Sequence, residues 1–298
     1  MQALSLGAAL SACGGEGTGD VRILIEAEDT IVSGLLAGTG DEDIQDGWAV
    51  VFDTYLVAIG NVELGRRADA GAVIATEEAR IFDLAAVSSG DQLSFLEAVP
   101  SGRWDLFSYE TPRAAAATPC EASVEADDCA AMRDGGLTYL IRGTLSKSGG
   151  QSCPPGKECR PADAIAFELA VVAPTRYEGC QDNEVAGVAI PEGGETSAKL
   201  TLHGDHLFFD SFPGVGEGVV VRRAQWLANA DVNEDGRVDM VELQSIDDGD
   251  FPALFPDFAT HSFTGSPLTI ETAADYARAQ LSTQGHLNGE GECLPVAL

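Results

Sequence analysis

Twelve consecutive residues, Asp231 to Glu242, read D-V-N-E-D-G-R-V-D-M-V-E, and their oxygen donors are spaced for a hard cation. Asp231, Asn233, Asp235, Asp239 and Glu242 stand at positions 1, 3, 5, 9 and 12, and Arg237 at position 7 offers its backbone carbonyl. An ion of calcium's size takes about six to eight oxygens in flexible geometry, which this set supplies when the last carboxylate binds through both oxygens. Gly236 at position 6 suits the sharp turn the loop must make, where a side chain is strained.

A second set of ligand-type residues is nitrogen-based. The chain has four histidines, His203, His206, His261 and His286. Two fall in Leu202-His203-Gly204-Asp205-His206-Leu207, with Asp210 close behind, and His286 lies in the polar, glycine-rich stretch from Gln284 to Cys293. Imidazole suits zinc and copper. His203, His206 and His286 are therefore an alternative metal set, with Asp205, Glu290 and Glu292 as further oxygen donors. In a regular strand, residues three apart face opposite sides. His203 and His206 then meet at one ion only if Gly204 makes a bulge. The competing reading is that these histidines hydrogen-bond within a polar patch. The acidic run Asp41-Glu42-Asp43-Ile44-Gln45-Asp46-Gly47 spaces its donors differently and reads as a solvated hairpin tip.

The donor loop and its flanks resemble the EF-hand family over Val219 to Asp247. Before the loop, Val219 to Ala230 reads as helix, with Trp226, Leu227 and Ala230 on one face. After it, Leu243 and Ile246 continue an apolar face for about one turn. Val238 holds loop position 8, where the family carries an aliphatic residue that bridges to a partner loop. The resemblance implies a bound calcium ion, with Glu242 as its bidentate ligand. Two departures stand out. The exit helix ends early, at Asp247-Asp248-Gly249-Asp250-Phe251-Pro252, and no second loop of this spacing occurs. The loop is then unpaired, or propped by another part of the fold.

The elements that must position these residues read mostly as strands. Alternation marks Val21–Glu28, Trp48–Ile59, Ala79–Val87, Gln92–Ala98, Arg103–Tyr109, Gly136–Ser146, Ala164–Val172 and Lys199–Phe209. In Trp48–Ile59 the pattern puts Trp48, Val50, Phe52 and Leu56 on one face, and Val51, Tyr55, Val57 and Ile59 on the other. Glycine- and proline-rich turns connect the strands. Helical pattern is confined to the loop's flanks and to Thr272–Thr283, where Ala273, Tyr276, Ala277 and Leu281 form a stripe. The expected fold is mainly β: an antiparallel β-sandwich with an inserted EF-hand-like helix-loop-helix and a C-terminal helix. Residues 21–216 and 249–298 make the body, and 217–248 the insertion. Ala114 to Asp134 reads as a small acidic lobe closed by a disulfide.

Composition narrows the function classes. Among 298 residues, 48 acidic side chains against 17 lysines and arginines give a formal net charge of -31. That argues against nucleic acid, which requires clustered cations, and against charge-driven binding to an anionic membrane face. It fits calcium or cationic partners. No H-E-x-x-H, G-x-S-x-G or phosphate-cradling glycine loop occurs, so the chain reads as a binding protein rather than an enzyme. A ligand-binding or adhesion role through a sandwich edge is a third option.

The N-terminus reads as an export signal. An apolar run ending in Leu10-Ser11-Ala12-Cys13 resembles a bacterial lipobox. The resemblance implies removal of residues 1–12, lipid on Cys13, and a flexible tether over 13–20. The expected location is outside the cell's cytoplasm, anchored to a bacterial membrane at the outer membrane or cell surface, by lipid alone. Six cysteines remain, and six allow 15 pairings. The favoured set is Cys120–Cys129, Cys153–Cys159 and Cys180–Cys293, two short surface loops and one long tie. Zinc is a weaker reading of these cysteines, because no C-x2-C pair occurs.

Overall fold

A computed structural model describes residues 17–86, 90–212, 220–256 and 258–298. Cys13 and the expected signal segment lie outside the described residues. The chain is β-rich. A nine-stranded sheet runs in the order Arg237–Asp239, Ala164–Val171, Tyr139–Ser146, Ala49–Arg66, Leu106–Thr111, Thr175–Glu178 and Leu294–Ala297, with Asp69–Ala75 and Ala79–Asp83 also paired to Ala49–Arg66. A four-stranded sheet runs Gly285–Leu287, Glu195–Leu202, Thr18–Ala27 and Asp91–Pro100. Two strand pairings among the described residues are parallel, Thr18–Ala27 with Glu195–Leu202 and Ala164–Val171 with Arg237–Asp239. The sheets are therefore mixed, where alternation predicts antiparallel pairing throughout. The first strand also begins inside the expected tether, because Thr18 and Gly19 pair with Pro100 and Val99.

The long strand Ala49–Arg66 corrects the predicted faces. Its register against Tyr139–Ser146 shifts between Phe52 and Thr54, leaving Asp53 as an extra residue. One inserted residue inverts the inside–outside phase of everything after it. Trp48, Val50 and Phe52 therefore share the main core with Tyr55, Val57 and Ile59. Leu56 and Ala58 turn the other way, into a small cluster with Met132 and Leu140. That cluster lies under the disulfide lobe, which forms the helix Ala126–Gly135. Main-core residues come from both larger sheets, with Ile23 and Leu200 from one and Ile141 and Leu169 from the other. No helix among the described residues is long and apolar enough to cross a membrane.

Of the helix expected over Val219–Ala230, Val219 lies outside the described residues and the rest is helical only over Gln225–Asn229. Its upstream residues are committed elsewhere. Asp210 and Arg223 donate their amides to the carbonyls of Val221 and Phe208, which holds this stretch extended. The helix starts where the Asp46 carboxylate accepts the Ala224 and Gln225 amides, at 2.8 and 2.7 Å. Part of the predicted solvated tip is thus a helix cap from about 180 residues away. The C-terminal helix Ala273–Leu281 carries its own cap. Thr272 and Asp275 form a reciprocal capping box, and Arg278 donates to Asp275 at 2.8 Å.

Burial alone pushes the Asp275 carboxyl upward, but hydrogen bonds from Thr272, the Glu271 amide and Arg278 outweigh it and hold the group below its ordinary 3.8. A depressed folded value means stabilisation that is complete above the ordinary value and is lost as pH falls through the depressed one. Asp275→Asn is expected to lower stability by about 1 kcal/mol at neutral pH. Urea unfolding at pH 7 and pH 3 checks this: the gap between variant and wild type should shrink in acid.

Candidate metal centres

The donor loop links Gln225–Asn229 to the short strand Arg237–Asp239 and the helix Met240–Ser245. Backbone amides hold its side chains. Asp231, fully buried, accepts from Gly236 N at 2.9 Å through Oδ2. Asn233 Oδ1 and Asp235 Oδ1 accept from the amides two residues on, at 2.8 and 2.9 Å. Asp239 Oδ1 caps the exit helix by accepting from Val241 N and Glu242 N. Glu242 spans the loop, with Oε1 on the Asn233 amide at 3.1 Å and Oε2 on the Asp239 amide at 3.2 Å. Gly236 adopts φ +87°, the left-handed turn its position requires. Val238 pairs with Phe167 of Ala164–Val171, so a sheet strand stands where a partner loop would.

Two features bear on whether a cation fits. Asp231 Oδ1 is buried and has no hydrogen-bond partner, which suits a carboxylate that ligates an ion. Burial pushes the Glu242 carboxyl above its ordinary range; the amides of Asn233 and Asp239 oppose this, while the neighbouring Asp239 and Asp235 charges add to it. Sequence reasoning missed a third feature, a pair of cations laid over the loop by the disulfide-closed segment Cys153–Cys159. Arg160 pairs with Asp231 Oδ2. Lys157 Nζ donates to the Val232 carbonyl at 2.5 Å and pairs with Glu234 at 3.0 Å. Only the basic residues beside those cysteines hinted at this.

The histidines are drawn together more tightly. Among the described residues, the groups of three ligand atoms within 4.8 Å of one another are His203, His206 and His286, and Glu28, His203 and Asp205. The loop carboxylates form no such group. The strand expected to run to Phe209 ends at Leu202, and Gly204–Phe208 is a 3₁₀ turn. At three residues per turn, positions i and i+3 eclipse, so His203 and His206 come to one side without a bulge. Gly204 fits because a Cβ there would meet Ile31 Cγ1 at 2.6 Å. His286 enters from Gly285–Leu287, whose register sets it opposite Thr201. Ring centroids lie 4.1 Å apart for His203 and His286, 5.3 Å for His206 and His286, and 5.7 Å for His203 and His206.

The outer contacts leave nitrogens to spare. His203 Nε2 meets the Gly289 carbonyl at 3.1 Å, and His206 Nδ1 meets Thr283 Oγ1 at 2.9 Å. A metal-bound imidazole is held in this way, one nitrogen on a backbone or polar oxygen and the other on the ion. His286 has both ring nitrogens buried and outside ordinary hydrogen-bond geometry, with a weaker interaction from the Glu290 backbone. Burial pushes His206 and His286 well below the ordinary imidazole range, and the neighbouring His203 adds to this. Both rings are therefore neutral at pH 7, the form that ligates metal.

Asp205 Oδ2 is held by Arg222, with Nε at 2.7 Å, while Oδ1 is buried without a partner. Glu28 Oε2 lies 4.0 Å from His203 Nδ1. Glu28 is a member of the site that sequence reasoning did not single out, and Asp205 is the expected oxygen donor that arrives. Glu290 and Glu292 join neither group. His261 packs instead against the rings of Phe255 and Tyr276. A cleft of about 780 Å³ reaches the triad and is lined by His206 and His286 together with Phe209, Phe212, Arg222 and Leu294. No family model, curated protein or solved structure matches the chain.

Proposed function

We propose that this chain is an exported metal-binding protein whose principal site is His203, His206 and His286, loaded with a transition metal of the zinc or copper class. The observation that carries the reading is the convergence of three imidazoles within 4.8 Å of one another, with both His286 ring nitrogens buried and outside ordinary hydrogen-bond geometry. A buried polar group left unpaired costs about 1–3 kcal/mol, and an ion shared with two neighbouring imidazoles removes that cost for the one nitrogen that ligates it. Nitrogen donors select zinc, copper or nickel over calcium and magnesium. The three disulfides agree with an oxidising compartment. A lipid on Cys13 would hold the protein at a bacterial membrane, with the two larger sheets packed as a sandwich around the shared core. Titration of chelator-stripped protein with zinc tests the metal reading: one equivalent bound with a thermal shift is expected, and neither heat nor shift would refute it.

A second reading, compatible with the first, is calcium in Asp231–Glu242, supported by the orphaned Asp231 Oδ1. There the ion would be structural: it would neutralise the loop carboxylates and lock the two short helices to the strand Ala164–Val171. Exported calcium modules bind in the ~10⁻⁴–10⁻³ M range. Glu242→Gln is expected to weaken calcium by at least about tenfold, by removing a full charge at the ion. Arg160→Gln is expected to act in the opposite sense, tightening calcium by about tenfold, because the guanidinium competes for Asp231. Calorimetry on the three proteins decides. Calcium binding that ignores both substitutions would show that the ion binds elsewhere.

A further inference from the structure

We propose that an ion on the histidine triad keeps one coordination position facing the cleft. This position takes the nitrogen donor of a neutral or cationic organic ligand, whose apolar body rests on Phe209, Phe212 and Leu294. The inference deepens the transition-metal reading above and rests on it.

The site is asymmetric. His206 and His286 line the cleft, and His203 does not. The carboxylates of Glu28 and Asp205 gather around His203. The carboxylates that group with the triad therefore lie with His203, which does not line the cleft, and the acids that do line it, Asp41, Glu42 and Glu292, belong to neither ligand group. Three protein ligands plus an exchangeable fourth is the arrangement of open zinc sites, whereas structural sites are closed by four protein ligands.

The cleft suits an apolar body and repels an anion. About 780 Å³ is the size of a small-molecule site. Its aromatic and aliphatic lining offers area to an apolar body. Its charged lining is Asp41, Glu42 and Glu292 against Arg222, on a chain of net charge -31. Arg222 is already committed, to Asp205 Oδ2 and to the Asp41 carbonyl, and its guanidinium lies 5.0 Å from the Phe209 ring centre. An anionic ligand meets uncompensated acid at this mouth, and a neutral or cationic one does not. A nitrogen donor also matches the softness of an ion chosen by three imidazoles.

The full chain loaded with cobalt(II) tests this, because the ion's visible bands report a change of ligand. Imidazole and 4-phenylimidazole are the probes. Both are expected to shift the bands, with 4-phenylimidazole binding at least about tenfold tighter through the buried phenyl group. Leu294→Ser should erase most of that difference without altering cobalt content, since Leu294 is 61% exposed and not part of the core. Stoichiometric cobalt with bands that neither probe moves at millimolar concentration would show that protein ligands fill every position, and would overturn the inference while leaving the metal site standing. Equal affinity for the two probes would overturn the assignment of the ligand to the cleft. Failure to bind cobalt, read from metal content before any probe is added, would overturn the metal reading and this inference together.

Discussion

Replacing His286 with alanine is expected to strip the transition metal from the chain, weakening affinity by on the order of a hundredfold or more; even outer partners of a metal-bound imidazole contribute about 10–100-fold. The same change should leave the metal-free fold nearly as stable as wild type. Truncation gives up packing, but it also removes two buried nitrogens that make no hydrogen bond of ordinary geometry. His203 and His206 make less clean tests, since each also holds a second segment, Gly289 in one case and Thr283 in the other. The contrast appears in thermal unfolding with and without zinc. At a ligand concentration 100 times its dissociation constant, wild type gains about 2.7 kcal/mol, and the variant gains almost none. A His286→Ala protein that retains one equivalent of metal, or still shifts with zinc, would remove the triad from the site.

The sequence made the site's ingredients visible more readily than their assembly. Oxygen donors in Asp231–Glu242 follow a fixed local spacing, so a single segment reveals them. The histidine site draws on a strand end, a 3₁₀ turn and a strand some 80 residues later, and pairing between distant strands leaves no local trace. Alternation through Leu202 was legible, but the switch to three residues per turn at Gly204 was not, because a short apolar run of Leu207, Phe208 and Phe209 fits either period. The bulge at Asp53 escaped for a related reason. An extra residue in a long strand whose two faces are both apolar changes the phase without changing the composition. Parallel pairing of Thr18–Ala27 with Glu195–Leu202 depends on what lies between them, and the strands themselves do not encode it. Strands Gly285–Leu287 and Leu294–Ala297 were too short and too rich in glycine or proline to register as strands. Arg160 shows the same limit from another side: its role depends on where the disulfide Cys153–Cys159 sets it down.

Removing the Cys180–Cys293 bridge, by Cys180→Ala with Cys293→Ala, is expected to damage both stability and the histidine site. The bridge spans 113 residues, and closing a loop of that order stabilises by roughly 3–5 kcal/mol through the unfolded chain. For a protein of this size that corresponds to a fall in melting temperature of roughly 10 °C. The effect on metal follows from what the bridge holds. The segment carrying His286 is anchored on one side by Gln284, which accepts the Tyr55 hydroxyl at 2.6 Å, and on the other by Cys293. Between these anchors it is held to the sheets by the three-residue strand Gly285–Leu287, the Gly289 amide on Thr201 Oγ1, the paired Asn288 and Lys199 contacts and the Tyr109 hydroxyl on the His286 carbonyl. Cutting one anchor lets His286 sample positions away from the other two rings, and the population able to bind metal falls with it. Zinc affinity should therefore drop in the double variant measured well below its melting temperature. Calcium affinity should not, since the acidic loop is braced by Ala164–Val171 and by the overlying segment that Cys153–Cys159 closes. A variant that loses stability yet binds zinc as tightly as wild type would show that strand pairing alone positions His286, and that the bridge serves only the unfolded chain.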